Sequence, residues 1–197
     1  MFTRQGSARV RLFLAINPGA EVKTRIDEAM EPLRGAAPAL RWVAADRLHL
    51  TVKFFGEQPN SIVSALSRAV DRAVARHGDA PLALGGVGAF PNFRRARVVW
   101  LGVEPHPRLE LLHHDIEEAC AALGFEPDGR PFRPHLTVAR VPDGTTGETL
   151  RALSRAARVA SFAETVDVES VDLMASEPTS AGPRYRLLHV SALRTAA

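Results

Sequence analysis

Four residues occur twice in this chain, as His49-Leu50-Thr51-Val52 and as His135-Leu136-Thr137-Val138. In a β-strand, successive side chains point to opposite faces. Within each segment the imidazole and the hydroxyl therefore share one face, and the leucine and valine turn the other way, toward a core. Two such segments among seven histidines arise by accident on the order of 0.2% of the time when matches are counted, so the pair is read as a site. Two imidazoles near their ordinary pKa of about 6.5 can hold opposite protonation states at neutral pH. One can take a proton from an attacking water while the other gives one to a leaving oxygen, each transfer contributing about 10²–10⁴ in rate. The threonine hydroxyls can donate to oxygens on which charge develops. This set suits the opening of a strained cyclic phosphodiester, which needs a base, an acid and oxyanion donors but no metal. Imidazoles also bind zinc, yet neither segment brings a Cys or carboxylate at ligand spacing. No metal or cofactor is expected. A pair of purely structural histidines is the bland competing reading.

These residues need strands to hold them, and the pattern supplies strands. Residues 9–17 (RVRLFLAIN) read as a strand stopped by Pro18-Gly19, and 49–55 (HLTVKFF) as another closed by Gly56. Between them Val22, Ile26, Met30 and Leu33 recur at helical spacing, followed by a short strand at 40–43. Ile62, Leu66, Val70 and Ala73 mark a second helix, capped near Asn60 or Ser61. The Gly-rich stretch 81–91 reads as a strand with a bend, and 97–103 (RVVWLGV) as a regular one. A helix through Leu109, Leu112, Ile116 and Leu123 ends at Gly124. The strand 135–141 follows. Thr145 and Glu148 have capping-box spacing for a further helix, and 162–175 and 185–193 read as closing strands.

The order strand, helix, HLTV strand, helix thus appears twice. Arg11 lies 38 residues before His49, and Arg97 lies 38 residues before His135. We read an ancient duplication, with halves at roughly 9–80 and 95–160 and the C-terminal strands completing the sheets, within one folding unit spanning 1–197. Two lobes related by a pseudo-two-fold would turn their HLTV strands toward one cleft.

Composition sets the outer limits. The chain has 197 residues, 46% of them hydrophobic and 24% charged, ordinary for a globular protein. Its formal net charge is +3, and Lys23 and Lys53 are the only lysines among 25 cationic residues. Arginine's planar fork suits phosphate, although an Arg-rich codon bias explains the excess equally well. No apolar stretch approaches the roughly 18 residues of a membrane span, and residues 1–9 lack the apolar run of a leader. A single cysteine, Cys120, allows no intrachain disulfide; the expected compartment is the reducing cytoplasm, with no membrane association. Cys120 falls on an apolar helix face and reads as a buried small hydrophobe. His113, His114 and His106 read as solvated.

Both segments in their context, RLHLTVKFFGE and PFRPHLTVARV, with GVGAFP and RVVWLGV between them, resemble the two-histidine phosphoesterase superfamily. The likeness is greatest to its bacterial RNA 2′,3′-cyclic phosphodiesterases, also called 2′-5′ RNA ligases, and runs from Arg11 to the Tyr185 strand. The resemblance implies an α+β fold of LigT type: two pseudo-symmetric lobes, each an antiparallel sheet flanked by helices, around a central cleft. It implies hydrolysis of 2′,3′-cyclic phosphates at RNA ends to 2′-phosphomonoesters, with a reverse 2′-5′ ligase activity as a secondary possibility. Carried over, His49 is the proton donor, His135 the acceptor that activates water, and Thr51 and Thr137 bind phosphate. The residues alone are symmetric on which histidine is which. Arg140 is a further phosphate contact by resemblance, although strict alternation from His135 puts it on the wrong face unless a bulge intervenes. Lys53 shares the face of His49 if its strand is regular. Arg130, Arg133, Phe132 and Tyr185 are candidates to hold phosphates and stack bases. Another cyclic or small nucleotide substrate, or a non-catalytic RNA-binding module, are the alternative functions. No obligate protein partner is implied, and a monomer suffices.

Overall fold

The computed structural model describes residues 9–180 and 182–194; segment 1–8, read above for the absence of a leader, lies outside them. The elements follow the expected order: β1 (Arg9–Ile16), α1 (Ala20–Ala29), α2 (Glu31–Ala36), β2 (Arg41–Trp42), β3 (Leu50–Pro59), α3 (Val63–Val74), β4 (Ala80–Phe90), β5 (Val98–Val103), α4 (Pro107–Ala121), β6 (His135–Arg140), α5 (Gly147–Val159), β7 (Ala163–Val168), β8 (Ser170–Thr179) and β9 (Gly182–Ala192).

Local differences have local causes. The face Val22, Ile26, Met30 and Leu33 is carried by two helices. The break falls at Met30, and Pro32 sits in the first turn of α2, where its missing N–H has no helical partner to lose. The cap of α5 is one residue later than the capping box suggests. Thr146 Oγ1 accepts from the Thr149 N–H at 3.2 Å, and Thr145 instead donates to the Pro142 carbonyl. Gly124 does close α4, at φ +89°, with the Phe125 N–H returning to the Cys120 carbonyl. The run 162–175 breaks at Glu169 into two strands that run to different parts of the sheet.

That break makes the architecture. The sheet order is β7-β4-β5-β6-β3-β1-β8-β9, with β2 added against β6, and all pairs between these strands are antiparallel. One lobe is β7-β4-β5-β6 and the other β3-β1-β8-β9. They meet at a single residue pair, Leu50 with Leu136. The first lobe draws its strands from residues 80–168 and the second from residues 9–59 and 170–192. Helices supply the cover: α3 lies against β8, β9 and α4, and α4 and α5 against β4. Strand β1 is buried from Leu12 to Ile16 on both faces, which is why LFLAI reads as an uninterrupted apolar run. The main core is a contiguous cluster running through both lobes, from Leu12 and Leu14 through Leu50, Leu101 and Leu136 to Leu173, and a small second cluster gathers Ala89, Ala96 and Leu150. The fold is therefore α+β and two-lobed. Among the described residues no helix is long and apolar enough to cross a membrane.

Candidate active site

The Leu50–Leu136 pair decides the geometry. Both side chains are fully buried, and residues directly opposite each other in an antiparallel pair point to the same face. Their neighbours His49, Thr51, His135 and Thr137 must then all project from the other face. Extending the register by one residue sets position 49 opposite 137 and position 51 opposite 135. That register makes the two histidines diagonal neighbours, a relation that puts backbones about 7–8 Å apart in a regular ladder, and His135 lies close enough to act electrostatically on His49.

Each motif then breaks its alternation at its valine. Leu14 pairs with Lys53 and Ala15 with Thr51, so Val52 is the extra residue of a bulge between β1 and β3. Val99 pairs with Ala139 and Trp100 with Thr137, so Val138 is the extra residue between β5 and β6. A bulge makes two consecutive side chains face the same way and shifts everything after it. Val52 and Lys53 are both buried, as are Val138 and Ala139. Phe54 and Arg140 come round to the cleft in their place. Arg140 lies close enough to act electrostatically on His49 and Tyr185. Phe54 is 66% exposed, with its ring centroid 5.9 Å from that of Phe13.

The same device orients both imidazoles. His49 Nδ1 lies 2.8 Å from the Arg47 carbonyl oxygen and His135 Nδ1 lies 2.7 Å from that of Arg133. A carbonyl only accepts, so each Nδ1 carries its proton and donates. Nε2 is left as the atom that accepts a proton in the neutral ring and gives one in the charged ring. Each ring is also held edge-on by an aromatic: Tyr185 against His49 at 5.1 Å and 87°, Phe90 against His135 at 5.0 Å and 82°. Phe13 adds a third contact at 5.1 Å from His49. Trp100 adds one at 6.4 Å from His135.

The surroundings are not symmetric. A cavity of about 610 Å³ opens against His49, lined among others by Lys23, Arg47, Asp172, Met174, Arg184 and Tyr185. Its far wall is the β8–β9 hairpin, whose Pro183 carbonyl accepts from Arg47 Nη1 at 3.4 Å. Asp172, nearly buried, accepts from Asn17 and Ser170, each at 2.8 Å. Lys23 donates to the Asp46 carbonyl at 3.2 Å, and burial lowers its pKa against the pull of Asp46 and Asp172. Burial likewise pushes the pKa of His49 below its ordinary value. The Arg47 carbonyl opposes this, and the positive fields of Lys23, Arg140 and His135 add to it. Cationic groups converging on a half-enclosed space form an anion site.

Other candidates fall elsewhere. Lys53 is not a cleft residue. The bulge turns it into the interior, 5% exposed, where its Nζ donates to both carboxylate oxygens of Glu117, each at 2.8 Å. Phe132 is likewise drawn away, its ring stacked on His113 at 3.9 Å and 11°. That stack also half-buries His113, which read as solvated. His106 turns out to cap α4, its Nδ1 accepting the Arg108 N–H. Arg130 and Arg133 keep exposed side chains on the loop before β6 and do not line the cavity. Arg133 serves through its carbonyl. Tyr185 and Arg140 are in the cleft. Cys120 is buried, its thiol pushed up to about 12 by desolvation.

Sequence reasoning missed Phe13, Arg47, Lys23 and Trp100. The sequence does hold a signal for Trp100. Gly88 pairs with it directly, and a Cβ there would lie 2.1 Å from the indole. The glycine of GVGAF is thus the space in which the tryptophan lies.

The model of the 2′-5′ RNA ligase superfamily matches residues 22–179. An RNA 2′,3′-cyclic phosphodiesterase of Methanothermobacter thermautotrophicus is 30% identical over 182 residues, 92% of this chain and 98% of the relative. One of Geobacillus stearothermophilus is 34% identical over 161 residues, 80% of this chain; the match spans about half of that longer protein, 51%. The crystal structure of E. coli LigT complexed with 3′-AMP superposes with a TM-score of 0.75 at 31% identity, covering 94% of this chain and 99% of LigT. With two inward-facing H-L-T-V motifs, a LigT-like two-lobed fold and a family match over most of its length, this chain belongs to the 2′-5′ RNA ligase superfamily.

Proposed function

We propose that this protein hydrolyses 2′,3′-cyclic phosphates at RNA ends to 2′-phosphomonoesters, with His49 as general acid, His135 as general base, and no metal. The observation that carries the direction of the reaction is the position of the cavity. Among the described residues its lining includes His49 and not His135. In an in-line displacement, attacking and leaving oxygens sit on opposite sides of phosphorus. A nucleoside seated in the cavity brings its 3′-oxygen to His49 and leaves the His135 side to water. His135 Nε2 takes a proton from that water, whose oxygen bonds to phosphorus. The P–O3′ bond breaks, His49 Nε2 protonates the 3′-oxygen, and phosphate remains on O2′. Thr51, Thr137 and Arg140 hold the non-bridging oxygens. The low pKa of His49 in the free protein favours its neutral form, whereas an acid must be charged. The phosphodiester anion supplies the opposing charge that restores the imidazolium as substrate binds.

The carboxylate in the cavity floor, Asp172, is already committed to Asn17 and Ser170, which supports chemistry without a divalent ion. A cavity of this size also accepts a single nucleotide, so a small cyclic nucleotide is the second reading. The motifs share a carbonyl-anchored Nδ1 and a bulge at the same valine, and we propose that residues 9–80 and 95–160 descend from one duplicated unit. The cytoplasm is the compartment proposed.

The test is incubation of EDTA-treated protein with an oligonucleotide ending in a 2′,3′-cyclic phosphate, and separately with the mononucleotide. A 2′-phosphate product is expected. A 3′-phosphate product, or full dependence on added zinc or magnesium, would overturn the mechanism; tight binding without turnover would favour an RNA-binding module. A diester whose leaving group departs as p-nitrophenolate needs no acid. It should recover much of the activity of His49→Ala but little of that of His135→Ala, and the reverse outcome would exchange the roles.

A further inference from the structure

The segments that lead into the two histidines are each fastened to the strand carrying the other. On the His49 side the fastening is backbone: Arg41 pairs with Arg140, Trp42 with Ala139, and the Val43 N–H donates to the Val138 carbonyl at 2.9 Å. On the His135 side the segment is residues 122–134, an irregular loop between α4 and β6. A loop that long inside a compact domain is usually functional, and needs holding if it is to present a side chain accurately.

Its fastening is made by side chains. Lys53, two residues past Thr51, donates to both oxygens of Glu117 and, at 3.0 Å, to the carbonyl of Glu126 in the loop. That uses all three ammonium protons. Glu117 Oε2 in turn accepts the Asp128 N–H at 3.0 Å. Glu117 Oε1 is 3.8 Å from Nε2 of His113, on whose ring Phe132 is stacked. The next residue, Arg133, holds His135 Nδ1. The loop is thus gripped at 126, 128 and 132 by one buried node.

We propose that Lys53 and Glu117 are positioning residues for His135: a cross-lobe ion pair that holds the α4–β6 loop and, through the Arg133 carbonyl, the orientation of the imidazole. The proposal rests on the reading of His135 as proton acceptor. A buried ion pair is often no more stabilising than an apolar pair of the same volume. An apolar pair, however, has no groups with which to grip two loop peptides. The equivalent bulge position on β6 is Ala139, so the device exists on one side only.

The experiment is the double variant Lys53→Met/Glu117→Met, which leaves no uncompensated buried charge. Melting temperature, kcat and KM, and the ring ¹⁵N signals of both histidines are measured. The expected result is a folded protein with kcat reduced about tenfold or more and KM changed less than about threefold. His135 passes from the Nδ1–H form to a mixture of tautomers, while His49 is unchanged. Phe132→Ala, which loosens the loop without touching the buried charges, should shift the same readouts in the same direction, and it serves if the double variant does not fold. A folded variant of either kind with parental kcat and parental His135 signals would overturn the proposal. His135→Ala retaining full rate would instead remove the acceptor reading, and the nitrogen signals would still decide whether the node orients the ring.

Discussion

Replacing Gly88 by alanine should cripple hydrolysis by pushing on Trp100. The added methyl would sit 2.1 Å from Cζ2 of the indole, whereas ordinary contact begins near 3.4 Å. Ring or strand must therefore give way by about 1.3 Å. The indole has little room to do so, since Phe90 packs against it at 5.3 Å and Trp100 itself lies beside His135. Overpacking of this kind costs about 1–3 kcal/mol of stability. A displacement of about 1 Å at a catalytic group can cost about a hundredfold in rate. The assay is single-turnover hydrolysis of an oligonucleotide with a cyclic phosphate end, run well below the melting temperature of the variant so that chemistry is read separately from unfolding. The expected result is a loss of about a hundredfold in the chemical step with a few degrees off the melting temperature. Gly88→Ala/Trp100→Leu, with the space returned, should recover the stability. A folded Gly88→Ala protein that turns over within about threefold of the parent would refute the claim that Trp100 holds the His135 side of the cleft.

Further outcomes follow from the site. Burial lowers the pKa of His49, so the unfolded chain binds a proton that the folded one resists. Its contribution to stability is complete above the unfolded value of about 6.5 and declines as pH falls from there toward the lowered folded value; His49→Phe should flatten this part of the melting-temperature profile, and an unchanged profile would contradict it. The same argument predicts proton uptake near pH 6.5 when sulfate, an anion that does not itself titrate there, binds, visible by calorimetry as a heat that varies with the ionisation enthalpy of the buffer. Arg140→Ala should lower kcat/KM by about tenfold or more, since a charge-assisted phosphate contact is worth about 1.5–3 kcal/mol, whereas Lys53→Arg should leave the substrate KM unchanged because Lys53 faces the interior. Thr51→Val and Thr137→Val should each reduce kcat by about 10–10³, measured on the same oligonucleotide, and a fully active double variant would exclude the hydroxyls from the transition state.

The chemistry proposed for this protein is legible in its sequence because its residues fall in or beside short strand segments. The alternation of His49-Leu50-Thr51-Val52 and its recurrence at 135–138 put imidazole and hydroxyl on one face without reference to any other part of the chain, and the equal 38-residue offsets to Arg11 and Arg97 point to two similar lobes. What alternation cannot show is where it stops. The bulges at Val52 and Val138 exist only because β1 and β5 pair with these strands out of step, and they send Lys53 inward and bring Arg140 to the cleft. The asymmetry is likewise tertiary. Local geometry around the two rings is nearly the same, with the same carbonyl two residues back and an aromatic edge on each. The β8–β9 hairpin, drawn from the far end of the chain to lie beside β1, walls the cavity against His49 together with Lys23 and Arg47. Sequence spacing sets which side chains share a strand face; which strands become neighbours, and on which side space remains, depends on burying one core through both lobes at once.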